Sequence, residues 1–125
     1  MSASKLQRIT LHLARTKDFP NGSYKHGYEF VAPLDADAHI DAEAWHKVRE
    51  QCRVKRFWAN DEDDLGHLTR RPGGSWAFHY DIAGDEDDEA GYRLGSHAFK
   101  EGEYVSIKDQ DGELQPFIVY SVEDV

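Results

Sequence analysis

The chain has 125 residues, a formal net charge of −9 and one cysteine. This length suits one domain, residues 1–125, that buries a core without disulfides or a structural metal. The charge argues against nucleic acid or an anionic membrane as a partner, and a lone cysteine excludes an internal disulfide. No stretch has the length of a membrane span and the first residues lack a signal-peptide pattern, so we expect a cytoplasmic protein.

Alternating apolar residues predict two strands in the first third of the chain. Apolar side chains occupy every second position in residues 6–14, as expected of a strand with one buried face. A second strand is predicted over residues 24–32, and Pro33 should end it. His26 lies on the apolar face of that strand. We expect it to be a core histidine whose nitrogens have partners and not a ligand.

One helix is predicted over residues 41–52. Asp41 has the side chain of a good N-cap. Trp45, Val48 and Cys52 form a single helical stripe, which is typical of the face that packs on a sheet. Cys52 is therefore expected to be a small buried apolar residue and not a nucleophile.

Charged segments follow the helix. Residues 53–58 predict a strand with three cationic side chains, which could hold an anion but which we expect to neutralise acidic loops of the same chain. The two acidic loops, residues 60–66 and 85–89, lack the ligand pattern of an EF-hand. Tight calcium binding is therefore not expected.

Five further strands are predicted after residue 66, and two of them flank a Pro-Gly-Gly turn. Their predicted ranges are residues 67–71, 75–82, 91–99, 103–108 and 114–122. Pro116 cannot donate to a neighbouring strand, so we expect the last strand to lie at an exposed edge or to begin at this residue.

These elements predict an α+β, β-dominated single domain. About eight short strands should form a strongly curved antiparallel sheet or a small β-barrel, with the helix at residues 41–52 packed on it. The aromatic side chains must supply much of the buried area. We expect one buried cluster that contains Leu11, Phe30, Val48, Trp76, Phe78 and Tyr80.

The register of the Pro-Gly-Gly hairpin decides which polar side chains meet. If residues 73–75 form a three-residue loop, then Leu68 opposes Tyr80 on the inner face and His67 opposes Asp81 on the outer face. Matching apolar residues across the next hairpin then pairs Trp76 with Ala98. On its outer face, the same register pairs Asp81 with Arg93 and Ala77 with His97.

This register gathers five ionisable side chains on one outer face, as a hypothetical ligand site: His67, His79, Asp81, Arg93 and His97. The three imidazoles of His67, His79 and His97, with the carboxylate, would suit a transition metal with an open position. Without metal, the same groups could transfer protons near neutral pH. The simpler interpretation is a solvent-facing sheet on which Asp81 and Arg93 form an ordinary ion pair.

Two functional hypotheses remain open. No spacing matches a known ligand or catalytic motif, so the leading hypothesis is a noncatalytic binding module for a protein or small-molecule partner. The alternative is a metal-dependent or acid–base enzyme that uses the outer histidine cluster. No catalytic residue can be assigned, a transition metal is the one cofactor considered, and neither nucleic acid nor a membrane is expected as a partner.

One stretch resembles other proteins. Residues 71–81, Arg-Pro-Gly-Gly-Ser-Trp-Ala-Phe-His-Tyr-Asp, look like a group of small bacterial proteins of unassigned function, together with Gly-Ser-His at 95–97 and Glu-Tyr-Val-Ser-Ile at 103–107. The similarity covers the C-terminal two thirds of the chain. It implies a bacterial cytoplasmic source and no activity or catalytic residue.

Overall fold

The fold is an antiparallel barrel with one short helix packed against it. The computed structural model describes residues 4–71, 75–81, 89–92, 98–108 and 113–125. The elements, in chain order, are β1 (Lys5–Leu13), β2 (Ser23–Leu34), α1 (Ala42–Val48), a 3₁₀ turn (Arg49–Gln51), β3 (Arg53–Phe57), β4 (Asp64–Arg70), β5 (Trp76–Tyr80), β6 (Glu89–Tyr92), β7 (Tyr104–Lys108) and β8 (Leu114–Asp124). Each strand pairs with its neighbours in the chain, and β8 pairs with β1 to close the barrel. The predicted β-dominated domain of about eight strands and one helix is confirmed.

Two prolines lie where strand pairing ends. β2 continues through Pro33, so the predicted end before this residue is wrong. β3 pairs with β2 only over Gly27–Phe30, which leaves one side of Pro33 without a strand neighbour. The predicted exposed edge at Pro116 is also wrong, because β8 pairs with both β7 and β1. Pro116 lies just beyond the β1–β8 ladder, and its carbonyl accepts a hydrogen bond from the Ala14 N–H at 2.9 Å.

The helix is shorter than predicted but begins as expected. The Asp41 side chain caps α1 by accepting a hydrogen bond from the Ala44 N–H at 3.1 Å. After Val48 the chain tightens into the 3₁₀ turn, which the Cys52 N–H closes by donating to the Arg49 carbonyl at 3.1 Å. Cys52 is fully buried, and this burial raises the pKa of its thiol to about 11. The expectation that Cys52 is a small buried residue is confirmed.

Large side chains fill the interior of the barrel. Phe78 is 1% exposed and its ring contacts the rings of Tyr28 and Phe30, with centroids 5.1 and 5.3 Å apart. The predicted core residues are buried in one cluster, except that Val48 is only partly buried against it. Eight-stranded barrels are just wide enough for such filling. Polar side chains that could bind a ligand therefore lie on the outer wall and at the ends of the barrel.

Trp45 anchors the helix at the end of the β4–β5 hairpin, within the same buried cluster as Trp76. Its indole N–H donates to the Leu68 carbonyl at 3.0 Å, and its ring packs edge-on against Trp76, with centroids 5.2 Å apart. The 3₁₀ turn therefore lies beside β4. None of the helical segments in the described part of the chain has the length and apolar content needed to cross a membrane.

His26 is a buried histidine, as predicted. Its Nδ1 shares a 2.7 Å hydrogen bond with the Ser23 hydroxyl, and its ring lies between those of Phe19 and Trp58 at 4.7 and 4.5 Å. Burial lowers the pKa of His26, and the nearby Arg56 cation lowers this pKa further. The imidazole is thus held neutral within the fold.

Candidate functional site

The hairpin of β4 and β5 carries two of the predicted site histidines on its outer face. His67 lies directly opposite His79, two residues away from its predicted partner Asp81. The Arg71 N–H donates to the Ser75 carbonyl at 2.8 Å, which fits this register, and the predicted loop at residues 73–75 lies partly outside the described residues. A shift by two residues leaves every side chain on its original face. His67 and His79 therefore still share the outer wall.

The register between β5 and β6 departs further from the prediction. Trp76 pairs with Gly91, where the sequence pattern predicted Ala98. Ala77 likewise pairs with Ala90, so its predicted pairing with His97 is wrong. Arg93 and His97 lie outside the described residues, so the predicted pairing of Asp81 with Arg93 stays a prediction. The acidic loop at residues 85–89 contains no tight-turn signal, so the prediction of this register rested on matching apolar residues alone. That matching placed the two strands in the wrong register.

Arg53, a cation on β3, contacts two of the predicted site residues, His67 and Asp81. Asp81 accepts hydrogen bonds from Arg53 at 3.0 Å and from His67 Nδ1 at 3.1 Å. The second guanidinium nitrogen of Arg53 lies 2.8 Å from His67 Nε2. Because a guanidinium only donates, Nε2 must accept, and the proton of the neutral ring must be on Nδ1. Both nitrogens of His67 are therefore engaged.

Arg53 was not among the predicted site residues, although the strand of three cations was noted. β3 pairs with β4 so that Arg53 lies directly opposite His67, and this register has no turn signal in the sequence. The expected neutralisation of the acidic loops is confirmed for one cation, because Asp64 belongs to the loop at residues 60–66 and Asp81 lies outside both loops. Arg53 pairs with Asp81 at 3.0 Å and Arg56 pairs with Asp64 at 3.6 Å.

A groove of about 410 Å³ separates the helical segment from the wall formed by β4 and β5. We call it the β4 groove. Its charged and aromatic lining consists of Trp45, Arg49, Glu50, His67, Arg70 and His79. A second groove of about 510 Å³, the helix groove, lies on the other side of Trp45 and is lined by Glu43, His46 and Lys47 as well as by Trp45 and Arg70. The two grooves therefore meet at Trp45 and Arg70.

The cations in these grooves differ from those of β3. Within the ranges that the structure describes, Lys47, Arg49 and Arg70 form no ion pair, whereas Arg53 and Arg56 each have a carboxylate partner. An exposed cation without a carboxylate partner is available to an external anion. Among the described residues, the two grooves thus carry three cations, Lys47, Arg49 and Arg70, beside two carboxylates, Glu43 and Glu50, on a chain whose net charge is −9.

Gly66 sets the spacing of the two site strands. A Cβ at this position would lie 2.0 Å from the His79 carbonyl oxygen, far inside van der Waals contact. Any side chain here would push β4 and β5 apart next to His67 and His79. The glycine is therefore required by the close approach of two backbones.

Sequence reasoning missed one group of possible metal ligands. Among the described residues, Asp35, Asp37 and His39 place one ligand atom each within 4.8 Å of one another, in the loop between β2 and α1. The Asp-x-Asp-x-His spacing was the available signal. Asp35 already accepts hydrogen bonds from the Asp37 and His39 N–H groups at 2.9 and 3.1 Å. Its carboxylate therefore serves to order the loop.

A separate aromatic surface covers the wall at β1, β2 and β3. The His12 ring stacks on Tyr120 with centroids 4.2 Å apart and meets the edge of Phe57 at 6.2 Å. Between them lies Gly27, where a Cβ would come within 1.9 Å of the Leu11 carbonyl oxygen. Burial lowers the pKa of His12. The aromatic rings thus cover the backbone at a position that cannot carry a side chain.

No protein-family model, curated protein or solved structure matches this chain. The resemblance of residues 71–81 to small bacterial proteins therefore stays a prediction, as does the cytoplasmic source that it implies. The β4 groove and the contacts around it are the observations that bear on function.

Proposed function

We propose that this protein is a noncatalytic binding module that holds an anionic group in the β4 groove. The observation that carries the proposal is the lining of this groove: two arginines that have no carboxylate partner among the described residues, Arg49 and Arg70, beside the imidazole of His79. Guanidinium groups bind carboxylates and phosphates through paired hydrogen bonds. The ligand is a carboxylate or a phosphate group.

The overall charge limits the size of this ligand. A net charge of −9 repels a large polyanion at long range, while a local concentration of cations attracts a small anion at short range. Glu50 also lines the groove and opposes binding. We therefore expect weak affinity, with a dissociation constant on the order of millimolar.

The hydrogen bonds of His67 favour binding over acid–base catalysis. A general base needs a nitrogen lone pair directed at the substrate. The Nε2 lone pair of His67 accepts from Arg53 and its Nδ1–H donates to Asp81. A metal at His67 would likewise have to displace Arg53. Metal analysis of the purified protein tests this alternative, since near-stoichiometric zinc, nickel or iron would favour the enzyme.

Histidine side-chain NMR tests the proposal directly. Inorganic phosphate and acetate are titrated at constant ionic strength, and the imidazole resonances of all seven histidines are followed. We expect saturable shifts at His67 and His79 and none at His12, which lies on the aromatic surface. His79→Ala should abolish saturable binding while leaving the fold intact, because its side chain faces outward from β5.

Two charge variants complete the test. Arg70→Gln should weaken binding about threefold to fivefold, as expected for one exposed charge contact. Lys25→Gln removes an exposed cation on β2 and should have no effect. Equal shifts at every histidine, or equal effects of the two variants, would show that the anions act only through general screening.

A further inference from the structure

We infer that the anionic group belongs to an acidic peptide that crosses Arg70 and places a second carboxylate beside Lys47 in the helix groove. This inference rests on the proposed function of the β4 groove and adds the chemical class and length of the ligand. The peptide carries one carboxylate on each side of the ridge formed by Trp45 and Arg70.

The first reason is that the two grooves adjoin each other at Trp45 and Arg70. Trp45 and Arg70 line both of them, and the guanidinium of Arg70 lies 5.6 Å from the centre of the Trp76 ring. The guanidinium of Arg70 thus lies over the Trp76 ring between the two grooves. Lys47 lines the groove on one side of it, and Arg49 lines the groove on the other. One ligand that extends over Arg70 would meet all three cations.

The second reason is the shape of the surface. Each groove has the volume of a small-molecule site, about 510 and 410 Å³, so together they offer far more room than a single small ion needs. Trp45 is only 8% exposed, and its ring offers little surface on which a nucleobase could stack. An extended peptide with separated carboxylates fits these conditions better than a nucleotide.

The glutamates in the grooves predict how affinity can be raised. Glu43 lines the helix groove and Glu50 lines the β4 groove, and both are exposed. A bound carboxylate beside either residue is repelled by it. Glu50→Gln should therefore strengthen the binding of any acidic ligand, whereas Glu43→Gln should strengthen only ligands that reach the helix groove.

The test uses blocked synthetic peptides and the full-length protein. One peptide carries a single glutamate, and a series carries two glutamates separated by glycine spacers of increasing length. Each has a counterpart with glutamine in place of glutamate. Binding is followed by NMR titration at constant ionic strength, with inorganic tripolyphosphate as a comparison ligand.

At the best spacing, the two-glutamate peptide should bind about tenfold tighter than the single-glutamate peptide, because the second contact is intramolecular. Lys47→Gln should remove this gain and leave the single-glutamate peptide unaffected, while Lys25→Gln should change neither. The inference is wrong if no spacing gives a gain, or if the gain survives in Lys47→Gln. It is also wrong if only tripolyphosphate depends on Lys47.

The proposed function fails separately. If the single-glutamate peptide, acetate and phosphate all leave the His67 and His79 resonances unchanged, the β4 groove holds no anion. If these ligands bind and the second glutamate does not increase the affinity, the proposed anion site in the β4 groove is supported. The extension of the ligand over Arg70 is then refuted.

Discussion

Truncation of Phe78 tests the packing on which the whole fold depends. Phe78 is 1% exposed, and its ring contacts Tyr28 and Phe30 in the middle of the barrel. Phe78→Ala removes the buried ring and leaves a cavity, which costs about 3–5 kcal/mol in other cores. The two ring contacts, each worth about 0.5–1.5 kcal/mol beyond their buried area, are part of that cost and favour its upper end. We therefore expect a loss of about 4–5 kcal/mol in the free energy of unfolding, at the upper end of that range.

Urea unfolding measured by far-UV circular dichroism gives this free energy. An unchanged slope against urea would show that the variant differs in stability and not in the extent of unfolding. Tyr104→Ala is the matched control, because Tyr104 is an aromatic residue on β7 that is 61% exposed. Its loss should change stability by no more than about 0.5 kcal/mol.

Domains of this size have only about 5–15 kcal/mol of stability in all, so Phe78→Ala could be largely unfolded without denaturant. Phe78→Leu keeps a large apolar side chain and should unfold cooperatively at a lower urea concentration than the parent chain. A loss of less than about 1 kcal/mol for Phe78→Ala, or a larger loss for Tyr104→Ala, would refute the assignment of inner and outer faces.

Three further predictions follow from single residues. Gly66→Ala should destabilise the fold by about 1–3 kcal/mol in urea unfolding, because the new Cβ would lie 2.0 Å from the His79 carbonyl oxygen. Burial lowers the pKa of His26, so the unfolded chain binds a proton near pH 6.5 that the folded chain does not. Stability should therefore fall as pH drops below about 6.5, and His26→Gln should flatten part of that dependence. Burial raises the pKa of Cys52 to about 11, so a disulfide reagent at neutral pH should modify it only after unfolding. Rapid modification of the native protein would contradict this.

The sequence determined the faces of the strands. Side chains alternate along a strand, so the spacing of Trp76, Phe78 and Tyr80 is enough to place them on one side and His79 on the other. The caps and stripe of the helix are also local, and Asp41 and Trp45 behave as predicted. Burial of His26 followed from the strand periodicity, whereas Cys52 is buried although it lies beyond the end of α1.

Only the tertiary structure decided which strands meet and in what register. The closure of the barrel pairs β1 with β8 from opposite ends of the chain, and no local signal specifies that pairing. The meeting of Arg53 with His67 depends on the β3–β4 register, which brings together a cation and an imidazole fourteen positions apart. The grooves on either side of Arg70 exist because Trp45 holds the helix against β4. These features depend on the packing free energy of the whole barrel. A local sequence pattern does not specify that free energy.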